Sequence, residues 1–232
     1  MLPQGLLQDL ELFRGFSTED ILALTAGAEL EVHRHKDLVF TAGMPAEHFG
    51  IVLQGCYKMS RPGPPTTLMA FALRGAPVGL LLMPDPNSVY PVTVQALGLG
   101  QFLKLPRSAY LERWLKAPEI MRRSQAAVLH RCLGFHADRG RQHLSLEKRI
   151  AGFLLRCLDL YAEEGTRRIP FPLSRREVSD GVGAQVESVI RVMSQWEKEG
   201  TISTRAQCIE IARPENLVRL QNGPGEVGFV GE

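Results

Sequence analysis

Residues 173–202 read LSRREVSDGVGAQVESVIRVMSQWEKEGTI, and this stretch decides the fold. Ser174 and Glu177 stand three apart, so the hydroxyl can satisfy one orphan amide of a helix start while the carboxylate reaches back to another. A short helix is predicted to begin there. Gly183 then breaks the pattern, and Val189, Met193 and Trp196 follow at spacings that share one face of a second, longer helix. Two helices joined by a glycine turn make a helix-turn-helix.

The second helix carries polar residues opposite that stripe. Glu187 and Arg191 are four apart, and Gln185 and Ser188 lie beside them, all directed away from Val189, Met193 and Trp196. The forked guanidinium of Arg191 matches guanine N7 and O6, and the Glu187 carboxylate can accept a hydrogen bond from cytosine N4. The competing reading is an ordinary surface ion pair at i,i+4 spacing, worth only a few tenths of a kcal/mol. Downstream, Gly200 is placed to end the helix after Glu199. The runs Ile202 to Thr204 and Cys208 to Ala212, joined by Arg205-Ala206-Gln207, read as a hairpin wing.

Taken together, the start at Ser174, the Gly183 turn, the Glu187-Ser188-Val189-x-Arg191 core and the Trp196-x-x-x-Gly200-x-Ile202 exit resemble the DNA-binding domain of the cAMP receptor protein and fumarate-nitrate regulator (CRP/FNR) family. Farther upstream, Val39-Phe40-x-x-Gly43 and Phe49-Gly50-Ile51-Val52-Leu53-x-Gly55 resemble the β-roll of the same family. The order of these motifs extends the resemblance from about Leu12 to Leu220. It implies an α+β fold: an N-terminal β-roll of the cyclic-nucleotide-binding, jelly-roll type, a long dimerisation helix and a C-terminal winged helix-turn-helix.

Composition is compatible with this and does not argue for it. The 232 residues are 44% hydrophobic and 22% charged with a net charge of +2, so any case for DNA binding must be local. No apolar run has the length of a membrane span, and the N-terminus lacks a basic region followed by an apolar core, so a cytoplasmic protein is expected. Cys56, Cys132, Cys157 and Cys208 show no metal-binding or cluster spacing and read as buried thiols, with no metal site. No nucleophile motif, phosphate-cradling loop or carboxylate pair marks an active site, so no enzyme is expected.

Along the chain, Ser17 to Asp20 predict a short capped helix before Gly27. Short apolar runs follow at Leu38–Phe40, Phe49–Leu53, Thr67–Leu73, Val92–Leu97 and Phe102–Leu105, the texture of a closed β architecture. After Ser108 the pattern turns helical. Met121, Gln125, Val128, Cys132 and Phe135 alternate spacings of four and three, as a coiled-coil seam does. The family holds its dimer helix here, which implies a homodimer; a helix packed on its own domain is the alternative. Arg139-Gly140-Arg141 reads as a hinge, and Ile150, Phe153, Leu154, Cys157, Leu158 and Tyr161 as the buried stripe of a further helix. A turn is expected at Pro170 to Pro172, a last helix over Pro214 to Leu220, and a mobile tail beyond. The expected domains are residues 1–110 for the sensor, 111–140 for the dimer helix and hinge, 141–221 for DNA binding and 222–232 for the tail.

The resemblance also bears on the effector. Cyclic-nucleotide-binding members hold the ribose with the glutamate of a Gly-Glu step and the phosphate with an arginine. Gly79 is in place, but Leu80 stands where that glutamate would be and Tyr90-Pro91 where the arginine and its neighbour would be. Binding of cAMP or cGMP is therefore not expected. An apolar effector, a haem or no effector remain as alternatives, with His33, His35, His48, Cys56 and Met83 as axial-ligand candidates. A metal enzyme fused to the DNA-binding part would need clustered histidines, which the sequence lacks.

The function implied is a homodimeric transcription regulator on double-stranded DNA with an inverted-repeat operator, with RNA polymerase as a further partner. Val186, Glu187 and Arg191 are the expected base readers; Ser174, Arg175, Arg176, Gln185 and Ser188 are the expected phosphate contacts. Where the cAMP receptor protein has an Arg-Glu pair, this chain has Val186-Glu187, and valine can touch a thymine methyl but cannot donate to guanine.

Overall fold

A computed structural model describes residues 4–136 and 143–222. The expected hinge at Arg139 to Arg141 and the tail from Gly223 lie outside the described residues, as do the side chains of Cys132 and Phe135. The chain divides into two compact units, Met1–Leu133 and Gly134–Glu232.

The first unit opens with α1 (Gln4–Gln8) and α2 (Thr18–Leu24). The Ser17 hydroxyl accepts from the Asp20 amide and the Asp20 carboxylate accepts from the Ser17 amide, the predicted capping box. Eight strands follow: β1 (Glu29–His33), β2 (Leu38–Phe40), β3 (His48–Gln54), β4 (Tyr57–Arg61), β5 (Thr67–Ala72), β6 (Pro77–Val78), β7 (Thr93–Ala96) and β8 (Gly100–Pro106). They form two four-stranded antiparallel sheets, ordered β1-β8-β3-β6 and β2-β7-β4-β5, which is the strand order of a jelly roll. The five apolar runs of the sequence all lie on strands. The three other strands are harder to read: β1 is largely solvent-facing and β4 half-buried, both with mixed residues, and β6 has two residues.

Side chains from both sheets meet in one core. Phe40 of β2 meets Phe102 of β8 edge to face at 5.7 Å, and Tyr57 of β4 meets the same ring at 5.5 Å. Phe49, Ile51, Leu103 and Leu105 fill the rest of the interior. After the roll come α3 (Arg107–Glu112) and α4 (Pro118–His136). Trp114, between them, is fully buried and donates its indole N–H to the Leu24 carbonyl at 3.0 Å.

The second unit is built on α5 (Leu146–Tyr161), α6 (Arg175–Val182), α7 (Val186–Lys198), the hairpin β9 (Ser203–Arg205) and β10 (Cys208–Glu210), and α8 (Pro214–Asn222). Its core takes Ile150, Phe153, Leu154 and Cys157 from the predicted stripe of α5, joined by Val178, Val189, Met193 and Leu217. Burial pushes the Cys157 thiol up to about 12, as befits an inert core cysteine. No helix among the described residues is long and apolar enough to cross a membrane.

Candidate nucleic-acid interface

The turn between α6 and α7 is fixed from three sides. At the start of α6 the Ser174 hydroxyl accepts from the Glu177 amide at 3.3 Å, while the Glu177 carboxylate accepts from both the amide and the hydroxyl of Ser174. At its end Gly183 takes a left-handed φ of 64° and the Ala184 amide returns to the Ser179 carbonyl at 3.1 Å. Nη1 of Arg149 of α5 donates to the carbonyls of Val182 and Gly183, so a positive charge holds the carbonyl end of α6.

Against that turn, α7 buries Val189, Met193 and Trp196, each at most 5% exposed. Gly200 ends the helix as predicted, with φ at 69°. Its own amide donates to Glu197 O, and the amide of Thr201 donates to Trp196 O. The opposite face of α7 is open: Glu187 and Arg191 are both exposed. They form no ion pair with each other among the described residues; the Arg191 guanidinium reaches Ser188 Oγ at 3.4 Å instead. Val186 is half-buried beside them, and Gln185, at the N-cap position, is exposed with no side-chain cap bond.

The wing is a tight hairpin. Arg205 pairs with Cys208, and Ala206 and Gln207 both adopt positive φ, so the loop is shorter than the three residues expected. The segment expected only to turn at Pro170 to Pro172 also lines the wing. Amide bonds from Ile169 to Ile209 O, from Ile211 to Arg167 O and from Leu173 to Gln207 O tie it to β10.

The expected phosphate contacts separate into two kinds. Arg175 is engaged inside the fold: it donates to the Glu197 carboxylate at 2.7 Å and to Thr204 Oγ1 at 3.1 Å, linking α6, α7 and β9. Burial pushes the Glu197 carboxyl up, but the bonds from Thr204 and Arg175 and the Arg175 charge outweigh it and leave the group below the usual carboxylate range. Ser174 is likewise committed to its cap. Arg176 is the exposed one, 3.3 Å from Asp180 with two thirds of its side chain in solvent. A reading of polar groups alone passes over Ile190, which α7 leaves 45% exposed beside Glu187 and Arg191. Its place four residues after Val186 was the available signal.

In the first unit the positions expected to replace a cyclic-nucleotide site are buried. Gly79 is left-handed at φ 79° and Leu80, in the 3-10 turn after it, is 1% exposed. Tyr90 stacks on Phe40 at 4.4 Å, donates its hydroxyl to the His48 carbonyl at 2.7 Å and accepts from the His48 amide at 3.2 Å. Neither position offers a charge to a phosphate. His33 and His35 do not share a strand face: β1 ends at His33, which is buried, and His35 lies exposed in the following turn. Nδ1 of His33 meets Tyr57 Oη at 3.1 Å and Nε2 lies 3.3 Å from Glu31, so both ring nitrogens are taken. Of the other axial-ligand candidates, Cys56 and Met83 are buried, at 6% and 0% exposure. Among the described residues no group of three His, Cys, Asp or Glu could hold a metal ion.

On α4 the predicted seam is divided. Val128 is buried and Met121 packs against the core of its own unit, whereas Gln125 is exposed and the neighbouring Leu129 is 58% exposed.

Comparison with known proteins gives these units their relatives. A family model of the Crp-like helix-turn-helix domain matches residues 148–220. The nitrogen fixation regulation protein FixK of Bradyrhizobium diazoefficiens is 26% identical over 196 residues, covering 79% of this chain and 78% of that protein. The transcriptional activator protein FnrA of Stutzerimonas stutzeri is 27% identical over 163 residues, 67% of this chain and 64% of that one. The solved structure of FixK2 from Bradyrhizobium japonicum shares the fold with a TM-score of 0.69 at 22% identity, over 85% of this chain and 99% of that one. By its winged helix-turn-helix and these relatives, the chain is similar to transcription regulators of the CRP/FNR family, and residues 148–220 are a Crp-like helix-turn-helix domain.

Proposed function

We propose that the protein acts as a homodimer on an inverted-repeat operator, with Val186, Glu187 and Arg191 reading bases and a roll that does not answer to cyclic nucleotides. The observation that carries this reading is the open face of α7, where Glu187 and Arg191 stand exposed and unpaired with each other. A carboxylate facing a phosphate polymer is repelled unless it accepts from a base; the major groove offers cytosine N4 and adenine N6 as donors, and cytosine N4 is the usual partner of a carboxylate. Arg191 then takes the guanine, and Arg176, Gln185 and Ser188 contact phosphates that set register. Arg175 and Ser174, the other two expected phosphate contacts, also hold that face through their bonds to Glu197, Thr204 and Glu177.

In this reading residues 1–110 are the sensor, 111–140 the dimerisation segment and 141–221 the DNA-binding part. Two copies would present α7 to successive major grooves about 34 Å apart. Any effector acts by binding one arrangement of the dimer more tightly than the other. Glu187 and Arg191 call for a C·G pair in each half-site; Val186 calls for a thymine where the cAMP receptor protein, with arginine, takes guanine.

Selection of bound sequences from a random duplex library tests this. The expected result is an inverted repeat whose half-sites lose preference at one position each in Glu187→Ala and Arg191→Ala. Recovery of no preferred sequence would overturn it. The purified protein is expected to be colourless, and a Soret band would favour the haem alternative instead.

A further inference from the structure

We propose that Ile190 is a specificity-determining residue: with Val186 it forms an aliphatic contact for the 5-methyl group of a pyrimidine next to the base pair read by Glu187 and Arg191. This rests on the reading of α7 as the base-reading helix. Among the described residues, Ile190 is the large hydrophobic side chain that α7 leaves exposed, at 45%, while Val189 beside it is fully buried. Nothing in the fold asks for it there. A β-branched residue is an indifferent helix former, and its position on the solvent face adds no core volume.

Helix geometry puts Ile190 with specific neighbours. It follows Val186 by four and Glu187 by three, so the two aliphatic side chains lie side by side, about 5–6 Å apart at Cβ, along one border of the Glu187 and Arg191 surface. The polar centre of that surface can pair with guanine and cytosine edges. Its apolar border cannot hydrogen-bond at all. In the major groove thymine alone of the four ordinary bases offers an apolar group, the C5 methyl. A docked α7 with no methyl against Ile190 would hold an isoleucine against polar base edges, which desolvates them without return.

The measurement is a deoxyuridine scan. Each thymine of a selected operator is replaced in turn, in both half-sites, by deoxyuridine, which lacks only the methyl, and Kd is measured at one fixed salt concentration. Wild-type protein is expected to lose about four-fold per half-site at one thymine, the worth of one buried methyl. In Ile190→Ala that loss is expected to shrink to within two-fold, while the thermal midpoint of the protein and its salt-dependent binding to random duplex stay as they were. At the same position, 5-methylcytosine should bind more tightly than cytosine for wild type only. If Ile190→Ala binds the operator like wild type, or shows the same deoxyuridine profile, the inference is wrong while the base-reading role of α7 stands. If no operator can be selected at all, the base-reading role fails first.

Discussion

Gly181 of α6 lies so close to Phe153 of α5 that a Cβ there would sit 2.4 Å from Cε2 of the ring and 2.9 Å from Cζ. Phe153 is 1% exposed and cannot swing into solvent without opening the core of the second unit. Gly181→Ala is therefore expected to cost ~1–3 kcal/mol as an overpacked contact, despite the better helix propensity of alanine. Urea unfolding of the full chain, followed by Trp196 fluorescence, reads this. An alanine variant as stable as wild type would mean that α6 can slide on α5.

The Arg175, Glu197 and Thr204 cluster ties both helices of the motif to the wing, and Glu197 titrates below the usual carboxylate range because of it. A carboxyl with a lowered folded pKa contributes stability that is complete above its unfolded pKa, about 4.3, and is lost as pH falls through the folded value. Glu197→Gln should thus cost ~1 kcal/mol at pH 7, and the gap to wild type should close as the pH is taken down towards 3. Equal losses at both pH values would point to shape and not charge as the contribution of Glu197.

The helix-turn-helix was legible because each of its signals is local: a capping box at Ser174, a glycine turn, a buried stripe of Val189, Met193 and Trp196, and a glycine stop. Jelly-roll strands β1 and β4 were harder: Glu29–His33 is a mostly exposed edge strand, and Tyr57–Arg61 is an inner strand of mixed residues, neither with a clean alternation. What a side chain does within the site depends on tertiary neighbours. Arg175 and Arg176 are adjacent and chemically identical, yet one is held by Glu197 and Thr204 and the other is mostly in solvent. Nothing in sequence order separates them. The alternation of Met121, Gln125 and Val128 likewise places a helix there, but it cannot say that Val128 is buried in the single chain while Gln125 is exposed.

Contacts to bases and to phosphates should separate by their salt dependence. Arg191→Ala and Glu187→Ala are each expected to cost ~1–3 kcal/mol on the selected operator and little on random DNA. Arg176→Ala should weaken both duplexes alike and reduce the slope of log K against log salt by about 1. Fluorescence anisotropy at several salt concentrations measures all three. A specific loss for Arg176→Ala would make it a base reader and overturn the division drawn above.

Leu80 and Tyr90, expected where a cyclic-nucleotide site would hold ribose and phosphate, are both buried, and Tyr90 is locked to His48 through both its donor and its acceptor. Millimolar cAMP or cGMP should leave the thermal midpoint and the operator affinity unchanged, since a ligand without differential affinity shifts nothing. A rise of a few degrees in the midpoint would show that the nucleotide finds another charge partner in the roll.

Leu129 decides which edge of α4 a second copy would use. It is 58% exposed and Gln125 beside it is exposed too, while Val128 is buried and Met121 lies against its own core. A seam through Val128 would have to use a side chain that the single chain already buries. An edge through Gln125 and Leu129 does not, and an exposed leucine next to a polar residue that can fix register suits a helix-to-helix contact. Leu129→Glu should therefore give a monomer at micromolar concentration in light scattering while the roll keeps its thermal midpoint, because no buried contact is lost. Val128→Ala should do the reverse: a lower midpoint, by the ~1–3 kcal/mol of a shrunken core side chain, with the dimer mass retained. Operator affinity follows the mass: a monomeric Leu129→Glu protein binds a single half-site and loses the gain from joining two, which is on the order of 100-fold or more. If instead Leu129→Glu remains a dimer and Val128→Ala dissociates, the seam runs where the heptad spacing alone would put it.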